Sequence, residues 1–340
     1  MSEVSFKAVV VDCNYWDNEG CFDIEQQVIN EKGGELVLYH LTSEDDIIDK
    51  AKDADILLCC GNPPITRKVI ENIKAKCIVR YGIGVNSVDL EAASEKGKVV
   101  YFMPGFCHEE LVTHASALIL SLLRNICYYD SSIRKGEWPK GKGPMPTRLS
   151  DMTVGLFGFG TSARPMADVF RKGFKSRVIS CDPYMDYNAA KEHDVEVVTF
   201  DELLEQSDIV SLHAPLVKDT YHIFNKEAFK KMKKSSMIVN ISRGPLINEE
   251  DLAQALANGE ISCAGLDVFE KEPLSSDSSL RELNNTVFTP HSAFYGVESL
   301  KNMHVISAKL ISDVFQSRII HKRNVANKDI LDSLVDYQMV

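Results

Sequence analysis

Three side chains that could carry acid–base chemistry follow strand-like runs in the second half of the chain. His291 comes directly after the apolar run NTVFTP, Arg243 lies at the end of SSMIVNISRG, and Glu272 lies in the EKEP segment that follows ISCAGLDVF. Ligands of doubly wound parallel sheets bind outside the carboxyl ends of the strands, so we expect these groups to converge. A guanidinium can bind a carboxylate in bidentate fashion and polarise a ketone, while an imidazolium can donate a proton. Glu272, in contact with His291, would orient the ring and favour its protonated form.

Each of these residues also has a purely structural interpretation. Arg243 could be a loop cation, Glu272 a solvated charge and His291 a capped loop residue. Their occurrence at three neighbouring strand ends favours the functional interpretation. Asp267, near the end of ISCAGLDVF, belongs to the same edge of the expected sheet.

A glycine-rich turn lies upstream of these residues. In VGLFGFGTSARPMADVF, Gly158, Gly160 and Ala163 fill a G-x-G-x-x-G/A pattern between a strand-like and a helix-like run. The first glycine allows a tight turn, the second lets the backbone approach a pyrophosphate, and the alanine lets the helix pack on the strand. Backbone N–H groups of Thr161 and Ser162 would then face the phosphates.

Asp182 ends the next strand-like run, SRVISCD. A carboxylate about twenty residues after the glycine turn accepts hydrogen bonds from an adenosine ribose and repels a 2′-phosphate. The expected coenzyme is therefore NAD(H) rather than NADP(H). The alternative for Asp182 is a strand-end residue that caps the turn DPYMD. A nicotinamide beside Arg243, Glu272 and His291 would serve the reversible reduction of a 2-keto acid.

The elements that position these residues form two series of short runs rich in Val, Ile and Leu, alternating with amphipathic stretches. This pattern is typical of parallel strands covered by helices on both faces, an α/β fold. The first series comprises 7–13, 34–41, 54–60, 77–82 and 97–103. The second begins at 151–160 and continues with 176–182, 195–200, 207–215, 235–242, 261–269 and 285–290, enough for a full dinucleotide-binding sheet.

Two longer amphipathic segments are predicted to be helices. HEELVTHASALILSLLRNICYYDSSIRKG, beginning at residue 108, is expected to form one long helix, with Leu111, Ala115, Leu118 and Leu122 on one face. A second helix near the C-terminus follows from the spacing of Leu300, Met303, Ile306, Leu310 and Val314.

Composition limits the classes of partner. A chain of 340 residues favours two domains, and a net charge of −11 without a cluster of Lys and Arg argues against nucleic acid. No window of about 18 apolar residues indicates a membrane span. Nine cysteines without paired CxxC spacing favour reduced thiols in the cytoplasm and no metal site, and the adjacent Cys59 and Cys60 are interpreted as strand packing rather than a redox pair.

Along nearly its whole length the sequence resembles the D-isomer-specific 2-hydroxyacid dehydrogenase family. VGLFGFGTSA, NISRGPLINEEDLAQAL, GLDVFEKEP and TPHSAFYG occur in the family's order and spacing, preceded by YGIGVNSVDLEAA and MPGF. The resemblance implies that Arg243, Glu272 and His291 form the active site and that Asp267 holds the nicotinamide carboxamide. We expect further coenzyme contacts from His291, His213, Ala214, Pro215, Thr220 and Ile241.

The resemblance also implies an arrangement of domains. A Rossmann NAD-binding domain, residues 104–294, would be inserted into a flavodoxin-like substrate domain made of residues 1–103 and 295–340. The YGIGV loop would offer backbone N–H groups of Ile83, Gly84 and Val85 to the substrate carboxylate, and closure of the cleft would expel water. Helices near 108–135 would connect the domains and pair two subunits in a homodimer.

Within the family, GFCHEELVTHASALIL and PHSAFYGVESL are closer to the C-terminal-binding-protein branch than to the phosphoglycerate branch. Phe294 stands where that branch has tryptophan, which favours a substrate with an apolar or aromatic side chain, and Thr113 replaces a common acidic residue. An alternative function is an NAD-sensing binding module, like the C-terminal-binding corepressors, because these share the fold and the site.

Overall fold

The structure is a computed structural model that describes residues 6–13 and 20–340. The chain divides into two compact units, one formed by Met1–Phe106 with Gly296–Val340 and the other by Cys107–Tyr295. Each unit contains its own parallel sheet, and the predicted α/β fold is confirmed.

The first unit is built around a five-stranded sheet in the order β2-β1-β3-β4-β5, the flavodoxin-like order. Its strands are β1 (Lys7–Val10), β2 (Glu35–Leu38), β3 (Ile56–Cys59), β4 (Cys77–Arg80) and β5 (Val99–Tyr101). The connecting helices are α1 (Asp23–Glu31), α2 (Glu44–Ala51), α3 (Arg67–Asn72) and α4 (Leu90–Glu95). Every residue of β3 is buried, including Cys59, as expected for the packing of a central parallel strand.

The second unit is built around a seven-stranded sheet in the order β12-β11-β10-β9-β6-β7-β8. The order reverses between β6 and β9, which is the Rossmann switch point, and β12 adds one strand at the edge. The strands are β6 (Thr153–Phe157), β7 (Arg177–Cys181), β8 (Glu196–Val197), β9 (Ile209–Leu212), β10 (Met237–Asn240), β11 (Cys263–Leu266) and β12 (Thr286–Phe288).

Helices cover both faces of this sheet. They are α5 (His108–Leu123), α6 (Ile126–Arg134), α7 (Ala163–Asp168), α8 (Tyr187–Glu192), α9 (Phe200–Gln206), α10 (Lys226–Lys231) and α11 (Glu249–Ala257). Apolar residues of α5, α7 and α8 form the core on one face, and those of α9, α10 and α11 form the core on the other. The sheet is therefore buried on both sides, as its continuous apolar runs predict.

The prediction of one long helix after residue 108 is wrong, because the segment bends by 64° between α5 and α6. Asn125 has a φ of 54°, and its side chain donates to the Pro144 carbonyl at 2.9 Å. Asparagine tolerates this left-handed conformation, which ends a helix. On α5, Ala115 and Leu118 are buried as predicted, while Leu111 and Leu122 pack at the margin of the core.

No single helix among the described residues has the length and apolar character needed to cross a membrane. The bent pair α5 and α6 meets those criteria only when its two helices are taken together.

The C-terminal residues return to the first unit and contain the second predicted amphipathic helix. This is α12 (Val297–Ser312), in which Met303 and Leu310 are buried. It is followed by β13 (Ile319–Ile320) and β14 (Gln338–Met339). Short 3-10 helices span Leu149–Asp151, Lys218–Thr220, Gly244–Leu246, Ser279–Glu282, Lys322–Asn324 and Lys328–Ser333, and π-helical turns span Val169–Gly173 and Asp313–Ser317.

Candidate active site

His291 and Glu272 form a hydrogen-bonded pair beyond the end of β12. The Nδ1 atom of His291 lies 2.7 Å from Oε2 of Glu272, and the two side chains are 32% and 30% exposed. His291 has a φ of 52°, and its backbone N–H donates to the Asp267 carbonyl at 2.7 Å. A non-glycine residue in this conformation costs about 1–3 kcal/mol and persists where neighbours hold it. An imidazole held through Nδ1 exchanges protons with a ligand through Nε2 while the pair is intact.

The charge of Glu272 follows from its neighbours. Partial burial raises the pKa of this carboxyl, but the hydrogen bond and charge of His291, the Phe269 N–H at 3.1 Å and the charge of Arg243 outweigh it. The pKa of Glu272 therefore lies below its ordinary value. An ionised Glu272 can only accept a hydrogen bond, so the Nδ1–H of His291 donates the bond between them.

Arg243 follows β10. Hydrogen bonds from the Asn240 side chain to the backbone hold the segment that carries Arg243. The Asn240 side chain donates to the Arg243 carbonyl at 2.8 Å and accepts the Ser242 N–H at 3.0 Å. Gly244 packs against the backbone of Phe269 so closely that a Cβ would overlap the carbonyl group. This contact joins the segments after β10 and β11, and Arg243 lies close enough to Glu272 for its charge to lower the pKa of that carboxyl.

Asp267 lies at the end of β11, and its side chain is fully buried. It accepts hydrogen bonds from Thr289 Oγ1 at 2.5 Å and from the N–H groups of Ser292 at 2.8 Å and Ala293 at 2.9 Å. Burial raises the pKa of Asp267, but these bonds and that of His114 lower it to about 2. The carboxylate thus holds the turn that carries His291. Its contact with the nicotinamide stays a prediction.

His114, on α5, was missed by the sequence analysis. Its Nε2 lies 2.9 Å from Thr289 Oγ1 and 3.4 Å from Asp267 Oδ1. The sequence could have indicated this residue, because its helical spacing from Leu111 and Leu118 places a polar ring on the apolar face of α5.

The glycine turn has the geometry that a pyrophosphate requires. Gly158 has a φ of 92°, and a Cβ there would lie 2.8 Å from the backbone nitrogen of Ala214. A Cβ at Gly160 would meet no atom within 4 Å, so this side of the turn is open. Ala163 is fully buried at the start of α7. The turn therefore fits a dinucleotide that approaches the backbone at Gly160.

Asp182 is tied to this turn. Its Oδ2 accepts the Phe159 N–H at 2.7 Å and its Oδ1 accepts the Tyr184 N–H at 2.8 Å. Asp182 therefore caps the turn DPYMD, as its structural interpretation predicts, and also holds the glycine turn. Each carboxylate oxygen has capacity to accept a second hydrogen bond, and the contact with ribose stays a prediction.

Further predicted coenzyme residues lie around the same switch point. His213 lies between two serines, with Nδ1 at 3.3 Å from Ser162 Oγ and Nε2 at 3.0 Å from Ser211 Oγ, and burial lowers its pKa to about 4, so the ring is neutral. Thr161 Oγ1 lies 3.1 Å from Nε2 of His108, another residue that the sequence analysis missed.

The remaining predicted coenzyme residues line the loops after β9 and β10. Thr220 Oγ1 donates to the Pro215 carbonyl at 2.8 Å. Ala214 packs against Gly158, and Ile241 is buried at the end of β10. Their roles with the coenzyme stay predictions.

The predicted substrate residues lie in both units. Ile83, Gly84 and Val85 follow β4 in the first unit, where Ile83 is 37% exposed. In the second unit, the Phe294 ring lies edge-on to the His291 ring with 6.2 Å between centroids. Thr113 is exposed on α5 and donates to the Glu109 carbonyl at 2.8 Å. Among the described residues, no group of three or more His, Cys, Asp or Glu side chains could hold a metal ion.

Residues 116–293 match the model of the NAD-binding domain of the D-isomer specific 2-hydroxyacid dehydrogenases. The chain belongs to this family. Its members are NAD-dependent oxidoreductases, so the predictions of family and coenzyme are confirmed.

Relatives and solved structures agree with this assignment. D-3-phosphoglycerate dehydrogenase from Methanocaldococcus jannaschii is 36% identical over 88% of this chain and 57% of its own length. Glyoxylate reductase from Korarchaeum cryptofilum is 35% identical over 78% of this chain and 81% of its own length. The structure of apo D-lactate dehydrogenase from Escherichia coli has a TM-score of 0.75 at 31% identity, covering 92% of this chain and 97% of that one. The chain thus spans little more than half of the first relative. These names favour an enzyme over a corepressor-like module.

Proposed function

We propose that the protein is a D-2-hydroxyacid dehydrogenase that catalyses the reversible reduction of a small 2-keto acid with NADH. The proposal rests on the His291–Glu272 hydrogen bond beside Arg243, at neighbouring strand ends of an NAD-binding domain. A corepressor-like module would share these side chains, so support for an enzyme comes from the relatives, which are named as a dehydrogenase and a reductase.

Each residue has a defined role in the proposed reaction. Arg243 binds the substrate carboxylate and polarises the ketone. His291 donates the proton from Nε2 to the ketone oxygen, and Glu272 holds the ring by Nδ1 and stabilises its positive charge. Bound NADH supplies the hydride. The backbone N–H groups of Ile83, Gly84 and Val85 remain our proposed anion-binding loop for the carboxylate.

We assign the substrate an apolar or aromatic side chain. The Phe294 ring lies beside His291, so it offers an apolar surface next to the proposed proton donor. Replacing Phe294 with Ala should lower kcat/KM for phenylpyruvate relative to glyoxylate by roughly 10-fold or more, the scale of apolar pocket contacts.

We further propose a cytoplasmic homodimer. Large apolar side chains on α6 and the segment after it are exposed, including Ile126 at 53%, Trp138 at 78% and Met145 at 94%. Several exposed large apolar side chains within one segment favour a subunit interface, where a second copy would cover them. The described residues contain no disulfide, which fits a reducing compartment. Sedimentation equilibrium at low micromolar concentration tests the dimer, and a monomer would contradict it.

The deciding experiment measures NADH oxidation at 340 nm with glyoxylate, pyruvate, hydroxypyruvate, 4-methyl-2-oxopentanoate and phenylpyruvate. We expect turnover with at least one of the larger acids and a product of D configuration on chiral chromatography. NADH binding without turnover of any of the five would replace the enzyme with the corepressor-like binding module.

A further inference from the structure

A cluster of polar side chains lies inside the first unit, at the root of the loop that carries Ile83, Gly84 and Val85. Glu25 comes from α1, Tyr81 follows β4, and His304 and Ser307 come from α12. None of these side chains has a part in the proposed chemistry.

The cluster is centred on the hydroxyl of Tyr81. This hydroxyl donates to Glu25 Oε1 at 2.7 Å and accepts from Ser307 Oγ at 2.6 Å. His304 Nδ1 lies 2.9 Å from the same Glu25 oxygen. The Glu25 side chain is fully buried, and that of His304 is 9% exposed. A buried carboxylate is tolerated only where such partners satisfy it, so the four groups depend on one another.

The root of the loop is fixed, in contrast to its exposed tip. The Tyr81 N–H donates to the Cys59 carbonyl at 2.8 Å, and the Gly82 carbonyl accepts the Met103 N–H at 2.9 Å. Arg80 Nη1 donates to the Cys60 carbonyl at 2.8 Å. Tyr81 is the last residue before the tip whose side chain is anchored in the interior. A loop that binds an anion through backbone N–H groups works only when those groups are held in place before binding.

We propose that Tyr81 is a positioning residue for substrate recognition, and that Glu25, Ser307 and His304 hold it so that residues 83–85 keep a conformation competent to bind a carboxylate. This inference rests on the proposed function of the loop. Two helices distant in sequence, α1 and α12, thereby contribute to the affinity for substrate without touching it.

The test compares Tyr81→Phe with Tyr101→Phe. Both tyrosines are buried in the same sheet, at 2% and 0% exposure, so the control removes a buried hydroxyl away from the loop. We expect Tyr81→Phe to raise KM for the keto acid roughly tenfold and to change kcat by less than about twofold. The Kd of NADH should stay unchanged, and the Kd of oxamate, a non-reducible carboxylate, should rise with KM. Tyr101→Phe should leave all four values near those of the wild type.

Two further variants guard against a loss of folding. Ser307→Ala removes one hydrogen bond to Tyr81 and should raise KM in the same direction by a smaller factor. Glu25→Gln keeps an acceptor for the tyrosine and should retain a lower KM than Glu25→Leu. Equal KM values in Tyr81→Phe and Tyr101→Phe, or a parallel fall of kcat and NADH affinity, would overturn the inference.

Hydrogen exchange separates this inference from the proposed function. In the apoprotein, Tyr81→Phe should speed exchange of the amides of residues 83–86 relative to Tyr101→Phe, whether or not the enzyme reduces any acid of the panel. Unchanged exchange would refute the positioning role, whereas faster exchange in a protein without turnover would refute only the proposed reaction.

Discussion

The backbone of Gly244 lies against the carbonyl group of Phe269 without room for a side chain between them. Gly244 directly follows Arg243, and Phe269 donates its N–H to Glu272. The close contact of Gly244 with Phe269 therefore joins the segment that carries Arg243 to the segment that carries Glu272.

Gly244→Ala should therefore separate Arg243 from the His291–Glu272 pair. We expect kcat/KM for the best keto acid to fall at least ~10²-fold, because a small displacement of a positioned group is costly. The free energy of unfolding should fall by about 1–3 kcal/mol from overpacking. Gly173→Ala is the matched control, since a Cβ there meets no atom within 4 Å. Turnover of Gly244→Ala close to that of the control would contradict the linkage.

Substitution can separate the bond from Asp182 to the glycine turn from its proposed contact with the ribose. Asp182→Asn keeps an oxygen that accepts the Phe159 N–H but removes the charge, so the preference for NADH over NADPH in kcat/KM should narrow with little change in Tm. Asp182→Ala should narrow the preference for NADH and also lower Tm, because the Phe159 N–H in the glycine turn loses its acceptor. A coenzyme preference unchanged in both variants would place the ribose elsewhere.

The positions of the strands could be predicted from the sequence. Strands β1 to β12 each lie within one of the predicted apolar runs. A strand that is buried on both faces consists of consecutive apolar residues, so its approximate ends can be located from the sequence. The contact between Glu272 and His291 was predictable for the same reason, because both residues follow parallel strands that end at one edge of the sheet.

Tertiary contacts account for what the sequence did not reveal. The helical periodicity continues through Asn125, and one left-handed residue leaves that periodicity almost unchanged. Three contacts join segments that are distant in the chain. They are the contact of Gly244 with Phe269, the bond from the Phe159 N–H to Asp182 and the bond between His114 and Thr289. No local pattern encodes such pairings.

Asp267 should make stability depend on pH in the acid range. Its pKa of about 2 in the folded protein lies below the ordinary value, so its ionised form stabilises the fold above about pH 4. That contribution, about 2–3 kcal/mol, is lost as the pH falls from about 4 toward 2. The difference in unfolding free energy between wild type and Asp267→Asn, measured in urea, should shrink by about 1 kcal/mol from pH 7 to pH 3. A difference for Asp267→Asn that stays constant between these pH values would contradict the assignment.

The His291–Glu272 pair leads to two different kinetic outcomes. His291→Ala should lower kcat for reduction at least ~10²-fold, the scale for a positioned acid, while the Kd of NADH is retained. Glu272→Gln keeps a hydrogen-bonding partner for Nδ1 but removes the negative charge beside the proposed proton donor. We expect kcat for reduction at neutral pH to fall by roughly tenfold, a smaller loss than that of His291→Ala. His321→Ala, which removes an imidazole from the first unit, serves as the control. Near-normal turnover of His291→Ala would remove this residue from the mechanism, and a wild-type kcat in Glu272→Gln would show that the charge of the carboxylate is not needed.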